Sequence, residues 1–255
     1  NSEFLLFWMG ARSLASITAK PEFNDLTVFS VAFGSYLRFV PFFATLAGKA
    51  FPGARVTVAV PQGSLSQLTA QMEETASKIN FAFGSSVTLQ KISLQADKLE
   101  EESLEVAGGA LKLERWFARQ ETFGGRRFGL ISDIDMAFLP SKAQDLRLVL
   151  DDVERREVPF HNLLRSDKIR LSGGSHIIST AKYFDCLGAE IELFHTSARH
   201  RKRVFDRITA VRSASGEVSP GPVRDENVLW HLCSTGITEA QFLASANGQT
   251  SVPFG

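Results

Sequence analysis

From Thr27 to Ile131 the apolar positions change period several times. Thr27–Phe33 (TVFSVAF) is β-branched and aromatic and stops at Gly34, which predicts a first strand. Tyr36 to Phe51 then takes up helical spacing. Pro41 falls early in it, so the helix is expected to begin near that proline, where a missing N–H costs nothing. Pro52-Gly53 ends it. Val56–Val60 (VTVAV) is an uninterrupted apolar run, the pattern of a strand covered on both faces. Leu65–Ile79 reads as a second helix and Ser86–Ile92 as a third strand. Glu100–Gln120 reads as largely helical with a break at Gly108-Gly109, and Arg127–Ile131 as another buried strand. This alternation predicts an α/β fold, a mostly parallel sheet flanked by helices. Ligands of such sheets sit at the carboxyl ends of the strands. Gly34-Ser35-Tyr36 and Asp133-Ile134-Asp135 are therefore expected at the binding edge.

The second half is less regular. Asp145–Val153 and Ala181–Phe194 have helical spacing, and Leu171–Thr180 (LSGGSHIIST) is a glycine turn running into a short strand. Ser213–Pro222 reads as a mobile Ser/Gly/Pro loop. Arg224–Cys233 (RDENVLWHLC) starts a helix with acids in its first turn. The 255 residues suit one large domain or two small ones.

Charge and composition narrow the function. Lys and Arg balance Asp and Glu at 28 each, so no global field draws nucleic acid to the chain. The basic run Arg199–Arg203 (RHRKR) reads as a solvated helix face, with a clamp for phosphates or for an anionic membrane surface as the alternative. Cys186 and Cys233 fit no zinc or CxxC spacing and read as buried free thiols. No run reaches the ~18 apolar residues of a membrane-spanning helix. Phe4–Met9 (FLLFWM) is too short, and it lacks the basic start of a signal peptide. The expected location is cytoplasmic. Peripheral membrane association, and an N-terminal anchor or signal removed from this sequence, are left open.

The candidate chemistry centres on FGLISDIDMAFLP, Phe128 to Pro140. Residues i and i+2 of a strand point the same way, so Asp133 and Asp135 are expected to share a face just past the strand's end. Two like charges that close repel, and burying either is costly. A hard cation held by one or two carboxylates and completed by substrate phosphates would remove that cost, which points to Mn²⁺ or Mg²⁺. The plainer reading is a turn with two solvated acids. Haloacid-dehalogenase phosphatases also carry Asp-x-Asp after a strand, but after the first one and with Thr or Val following.

Four blocks, in order, resemble the glycosyltransferases of the GT-A fold. They are TVFSVAFGSYLRFVPFFATLAGKAF with RVTVAVPQ, LKLERWFARQETFGGRRFGLISDIDMAF, SGGSHIIST and RDENVLWHL. Within that fold the chain is most similar to the blood-group-type α-galactosyl and N-acetylgalactosaminyltransferases and their bacterial relatives. The resemblance implies one domain over residues 1–255. About 25–140 would form its nucleotide-sugar half and about 141–255 its acceptor half. It implies that Tyr36 packs on the uracil of a UDP-sugar in a pocket lined by Ala32 and Phe33. Lys112 or Arg115 would reach the donor sugar or diphosphate. Asp133 and Asp135 would bind the metal, with Asp133 also on the donor. Gly173 and Gly174 would let the backbone approach the sugars, and His176 would face a glycan or glycolipid acceptor. Asp225 and Glu226 would lie beneath the reacting sugar carbon.

Each of these has a plainer reading. Tyr36 is then a helix-start aromatic, Arg115 the partner of a nearby glutamate, His176 a satisfied core histidine, and Asp225-Glu226 a helix N-terminal charge pair. His161, His195, His200 and His231 carry no metal spacing and read as structural or surface residues.

Three departures from the family pattern stand out. Arg170-Leu171-Ser172 precedes the glycines, Arg224 stands where the family has His, and no basic tail follows. The implied activity is metal-dependent hexosyl transfer, with retention favoured by the resemblance alone. A sugar nucleotidyltransferase and a catalytically silent binding protein are the rivals. The first lacks its glycine-rich basic loop at Ala32–Ser35. Against the second stand Asp133, Asp135 and Glu226.

Overall fold

The computed structural model describes residues 21–92, 113–162, 164–165, 170–171, 174–212, 218–220 and 225–246. The strands are β1 (Leu26–Val31), β2 (Arg55–Val60), β3 (Ser86–Lys91), β4 (Phe128–Ser132), β5 (Phe160–His161), β6 (Leu164–Arg165), β7 (Arg170–Leu171), β8 (Ser175–Ser179), β9 (Ala210–Arg212) and β10 (Val218–Pro220). The helices are α1 (Val40–Ala50), α2 (Gln62–Phe83), α3 (Ala143–Arg155), α4 (Thr180–Thr196), α5 (Ala198–Thr209), α6 (Asp225–Gly236) and α7 (Glu239–Ala246). Six strands form the main sheet in the order β3-β2-β1-β4-β8-β5. The pairs among β3, β2, β1 and β4 are parallel, and β8 joins β4 and β5 antiparallel. The fold is α/β with a mostly parallel sheet, as the alternating pattern predicts.

Burial on both faces explains why the central strands read as continuous apolar runs. All six residues of β1 are buried. Val28, Val58 and Leu130 face one core, filled by Phe43 and Ala47 of α1 and by Leu146 and Leu150 of α3. Phe29, Ile131 and Ile178 face the other, against Tyr183, Leu187 and Ile191 of α4 and Leu229 and Leu232 of α6. Gly129 is glycine for a packing reason. A Cβ there would lie 2.5 Å from the Phe123 ring, which rests on the strand at that point.

Pro41 sits in the first turn of α1, as expected. The chain before it, Gly34–Phe39, is a 3-10 turn. Two expectations are corrected where the described residues reach them. The helical reading of Glu100–Gln120 falls outside the described residues up to 112. Beyond them the helix stops after 113–116, and Gln120–Phe123 forms a separate 3-10 turn. Phe117 leaves the helix and stacks on Phe194, ring centroids 3.8 Å apart. Gly124 and Gly125 then take positive φ. The expected loop Ser213–Pro222 contains β10, which pairs antiparallel with β9. Its described residues satisfy their backbone groups against a strand that local composition does not reveal.

At the amino end of the sheet, Asp25 ties three elements together. It accepts from both terminal nitrogens of Arg147 on α3, at 2.7 and 3.0 Å, and from Arg127 before β4 at 2.9 Å. Arg147 also covers the Phe23 ring. Burial pushes the Asp25 carboxyl up, but the bonds from Arg147 and Arg127 outweigh it and hold it at about 2. The stability this supplies is complete above the carboxylate's ordinary 3.8 and is lost as pH falls through about 2. Asp25→Asn is expected to cost about 2 kcal/mol at pH 7, the scale of hydrogen bonds to a charged group. Urea unfolding checks it. A cost near zero would mean that the clasp is only a surface ion pair.

Candidate functional site

The strand order places a ligand crevice before any side chain is considered. The chain leaves β1 toward β2 and β3 on one side, then returns to lay β4 on the other. The gap beyond the carboxyl ends of β1 and β4 is thus the sheet's switch point, where open α/β sheets bind ligands. Ser30 near the end of β1 donates its hydroxyl to Ser132 O at the end of β4, at 2.8 Å, and fixes the two strand ends together.

Beyond β1, Ala32 is buried and donates its N–H to Ala59 O. Phe33 is half-buried. Gly34 then takes φ +55, a left-handed conformation that side chains disfavour, and turns the chain across the strand ends. Tyr36 emerges 44% exposed, its ring 6.4 Å from Phe33 and 6.0 Å from Phe39 between centroids. The result is an aromatic rim on one side of the switch point.

Beyond β4 the in–out alternation continues through a turn, in which Met136 N–H donates to Asp133 O. Asp133 is half-buried, Ile134 is buried and Asp135 is exposed. The apolar residues after the motif now have a reason. Ile134 belongs to the core, and Phe138 packs edge-on against Phe43 and Phe51. These anchors hold the acidic turn at the rim. Asp133 N–H also donates to Gly174 O, which carries the β4–β8 ladder one step past the strand.

Arg115, on the helical turn 113–116, is ion-paired through Nη1 with Asp133 Oδ1. Its side chain is 8% exposed, against 38% for that of Asp133, and its guanidinium lies 4.5 Å from the Trp116 ring centre. The structure thus joins Arg115, Asp133 and Gly174 directly, with Phe33 and Tyr36 across the switch point. Lys112 and Gly173 lie outside the described residues. Asp225 and Glu226 are the first residues of α6. Asn227 ties that helix start to the end of α5 by donating to Ile208 O at 3.0 Å, and α6 packs on α4, α5 and β7.

His176 sits inside the core, with no surface of its own. It is ringed by Trp116, Phe160 and Tyr183. The Asn162 amide lies 2.8 Å from Nδ1, and an amide N–H can only donate, so Nδ1 accepts and Nε2 carries the proton. Burial, then the neighbouring His161, pushes the ring down to about 3. The ring is buried as in the plainer reading, but Nε2 has no hydrogen-bond partner among the described residues, so it is not the satisfied histidine of that reading.

The basic run lies on α5. Arg199, Lys202 and Arg203 are exposed, while Arg201 caps the last carbonyls of α4, donating to Phe194 O and His195 O. A buried cluster also lies there that sequence spacing did not signal. Glu190 of α4 meets His200 of α5 at 2.8 Å and His231 of α6 at 3.5 Å. Burial, then Arg207, pushes His231 down. Both cysteines are free thiols, and Cys233 is buried.

Among the described residues no group of three or more His, Cys, Asp or Glu is placed to hold a metal ion. The fit is of the other kind. Two carboxylates at an open strand end suit a hard cation that takes its remaining oxygens from phosphates and water.

No family model matches the chain, and no curated protein matches its sequence. Among solved structures it is similar to the glycosyltransferase GlyE of Streptococcus pneumoniae TIGR4, at 14% identity over 83% of this chain and TM-score 0.46. It spans only 44% of that chain's length. It is also similar to the galactosyltransferase LgtC in complex with donor and acceptor sugar analogues, at 11% identity over 80% of this chain and 69% of that one, TM-score 0.41. An active-site variant of LgtC gives 13% identity over 89% and 80%, TM-score 0.45. These structural neighbours are glycosyltransferases.

Proposed function

We propose that the chain is a metal-dependent glycosyltransferase that moves a hexose from a nucleotide sugar, with UDP as the nucleotide, to a hydroxyl of a glycan or lipid-linked acceptor. The observation that carries this reading is the carboxylate pair Asp133 and Asp135 at the switch point, with Arg115 against it and an aromatic rim opposite. The narrower likeness to the blood-group-type enzymes rests on the four sequence blocks.

The roles follow from chemistry and position. Tyr36 and Phe33 offer apolar faces to a planar base. Asp133 and Asp135 would hold Mn²⁺ or Mg²⁺, which when bound neutralises a departing diphosphate as a Lewis acid. Arg115 supplies a fixed positive charge beside the same phosphates. Gly174 keeps backbone, not side chain, next to Asp133. The transition state of glycosyl transfer is oxocarbenium-like, so a carboxylate stabilises the developing positive charge. Asp225 and Glu226 are assigned that part. With retention Glu226 acts as nucleophile or electrostatic stabiliser; with inversion one of the pair is the base on the acceptor hydroxyl. Among the described residues no helix is long and apolar enough to cross a membrane.

Calorimetry with UDP, GDP and CDP, each with and without Mn²⁺, tests the reading. UDP is expected to bind only with Mn²⁺. Asp135→Ala is expected to weaken that binding by on the order of 100-fold, at least what losing an outer partner of a metal ligand costs. Asp135 is exposed, so the substitution should leave folding within about 0.5 kcal/mol. Equal, metal-independent binding by both proteins would remove the aspartates from the site. No binding of any nucleotide would sink the donor assignment.

A further inference from the structure

The basic run on α5 takes no part in the acidic turn or the aromatic rim, and its geometry is more specific than a solvated helix face requires. Arg199, Arg203 and Arg207 are all exposed and stand four residues apart. Residues i and i+4 share a helix face, so the three form one ridge that advances about 6 Å per step. On the row beside it, Lys202 meets Asp206, the only acid of α5, at 2.9 Å. Arg199, Arg203 and Arg207 pair with no carboxylate among the described residues. Arg203 is also fixed from below. It donates to His200 Nδ1 at 3.0 Å, so the His200 proton sits on Nε2 and is donated to Glu190 Oε1 at 2.8 Å. A guanidinium held this way loses less freedom when it binds an anion.

Two further observations select the partner. The apolar residues of α5 turn inward: Val204 and Ile208 are buried, Phe205 is half-buried, and no large apolar side chain of this helix is exposed. A helix that seats in a bilayer surface needs apolar residues beside its cations. This one offers charge alone, which suits a hydrophilic chain. The ridge also leads somewhere. Just past Arg207, Ile208 O accepts from Asn227 at 3.0 Å, which joins the end of α5 to the start of α6. Asp225 and Glu226 are the first residues of α6.

We propose that the ridge is a docking track for the acceptor, and that the acceptor is an acidic glycan with carboxylate or phosphate groups along its chain. This rests on the glycosyltransferase reading above and names the class of its acceptor. Guanidinium groups pair with either anion through two parallel N–H bonds. A chain laid from Arg199 to Arg207 delivers its end to the start of α6, where the acids assigned to the reacting sugar stand.

The test is calorimetric titration of oligogalacturonate, which carries one carboxylate per sugar, and of its methyl ester, the same chain without the charge. No nucleotide or metal is added, so the result is separate from that of the UDP titration. The acid form is expected to bind at least about tenfold more tightly than the ester, the scale of three exposed ion pairs together, and to weaken as salt rises. The triple variant Arg199→Gln, Arg203→Gln, Arg207→Gln should lose that advantage. A second triple variant, Lys49→Gln, Lys78→Gln, Arg155→Gln, removes the same charge from exposed positions on α1, α2 and α3 and should bind as the unmodified protein does. A thermal scan shows that both are folded. Hydrogen exchange with the acid form bound should show protection along α5 and at the start of α6.

No preference for the acid form, or equal losses in the two triple variants, overturns the proposal. Protection confined to α5 overturns the track's link to the site. Ridge-dependent binding to vesicles of phosphatidylglycerol and phosphatidylcholine, with no binding of oligogalacturonate, overturns it in favour of a membrane surface. Failure of UDP to bind, with ridge-dependent oligogalacturonate binding and protection at α6, supports the track and sinks the donor reading.

Discussion

Acidification from pH 7.5 to pH 5 is expected to remove about 4 kcal/mol of folding stability through two histidines alone, the buried His176 and the half-buried His161. His176 is held down to about 3 by burial and then by His161. His161 is held down to about 4 by burial and then by Arg156. Both folded values lie below the ordinary 6.5, so between those limits the unfolded chain binds more protons than the folded one. Stability is therefore complete above about pH 6.5 and falls as pH drops toward 4 and then 3. Each residue accounts for about 2 kcal/mol at pH 5. That is a large part of the 5–15 kcal/mol that typically holds a domain folded. His231, pushed down in the same sense, adds to the trend. Urea midpoints at pH 7.5, 6 and 5 read the effect, and His161→Gln should remove about half of the slope. An unfolding midpoint that does not move between pH 7.5 and pH 5 would show that these rings are not buried neutral.

Trp116→Ala is the substitution expected to cost most, about 3–5 kcal/mol, the range for emptying a large aromatic site in a core. Trp116 is 1% exposed. It meets His176 edge-on at 5.9 Å and lies under the Arg115 guanidinium. Its loss opens a cavity beside the sheet and loosens the side chain that holds Asp133. The melting temperature should fall by on the order of 10 °C. Trp230 is the control. It is 43% exposed and has Phe242 as its aromatic neighbour, so Trp230→Ala should cost well under half as much. Equal costs at the two tryptophans would contradict the packing described for Trp116.

Some of this was legible from the residues in order. The strands Val56–Val60 and Arg127–Ile131 announced themselves because burial on both faces leaves no polar alternation, a local property. Pro41 marked the start of α1 because its ring excludes all but the first turn of a helix. The acidic turn after β4 stood out because charge beside a buried strand needs a reason. The end of the helix at 116 was less visible. It depends on Phe117 reaching Phe194, and the two are far apart in sequence. The β9–β10 pairing was hidden for a similar reason: the composition of this stretch does not reveal a strand that its partner defines.

The residues alone determined the element types, the α/β class and the position of the carboxylate pair at a strand's carboxyl end, since periodicity and local chemistry act over a few residues. Tertiary structure decided the rest. It set the strand order that makes the gap between β1 and β4 a switch point. It put His176 in the core, and it brought Arg115 to Asp133. Those outcomes depend on which surfaces bury each other, and burial is a property of the assembled layers that no short stretch of chain encodes.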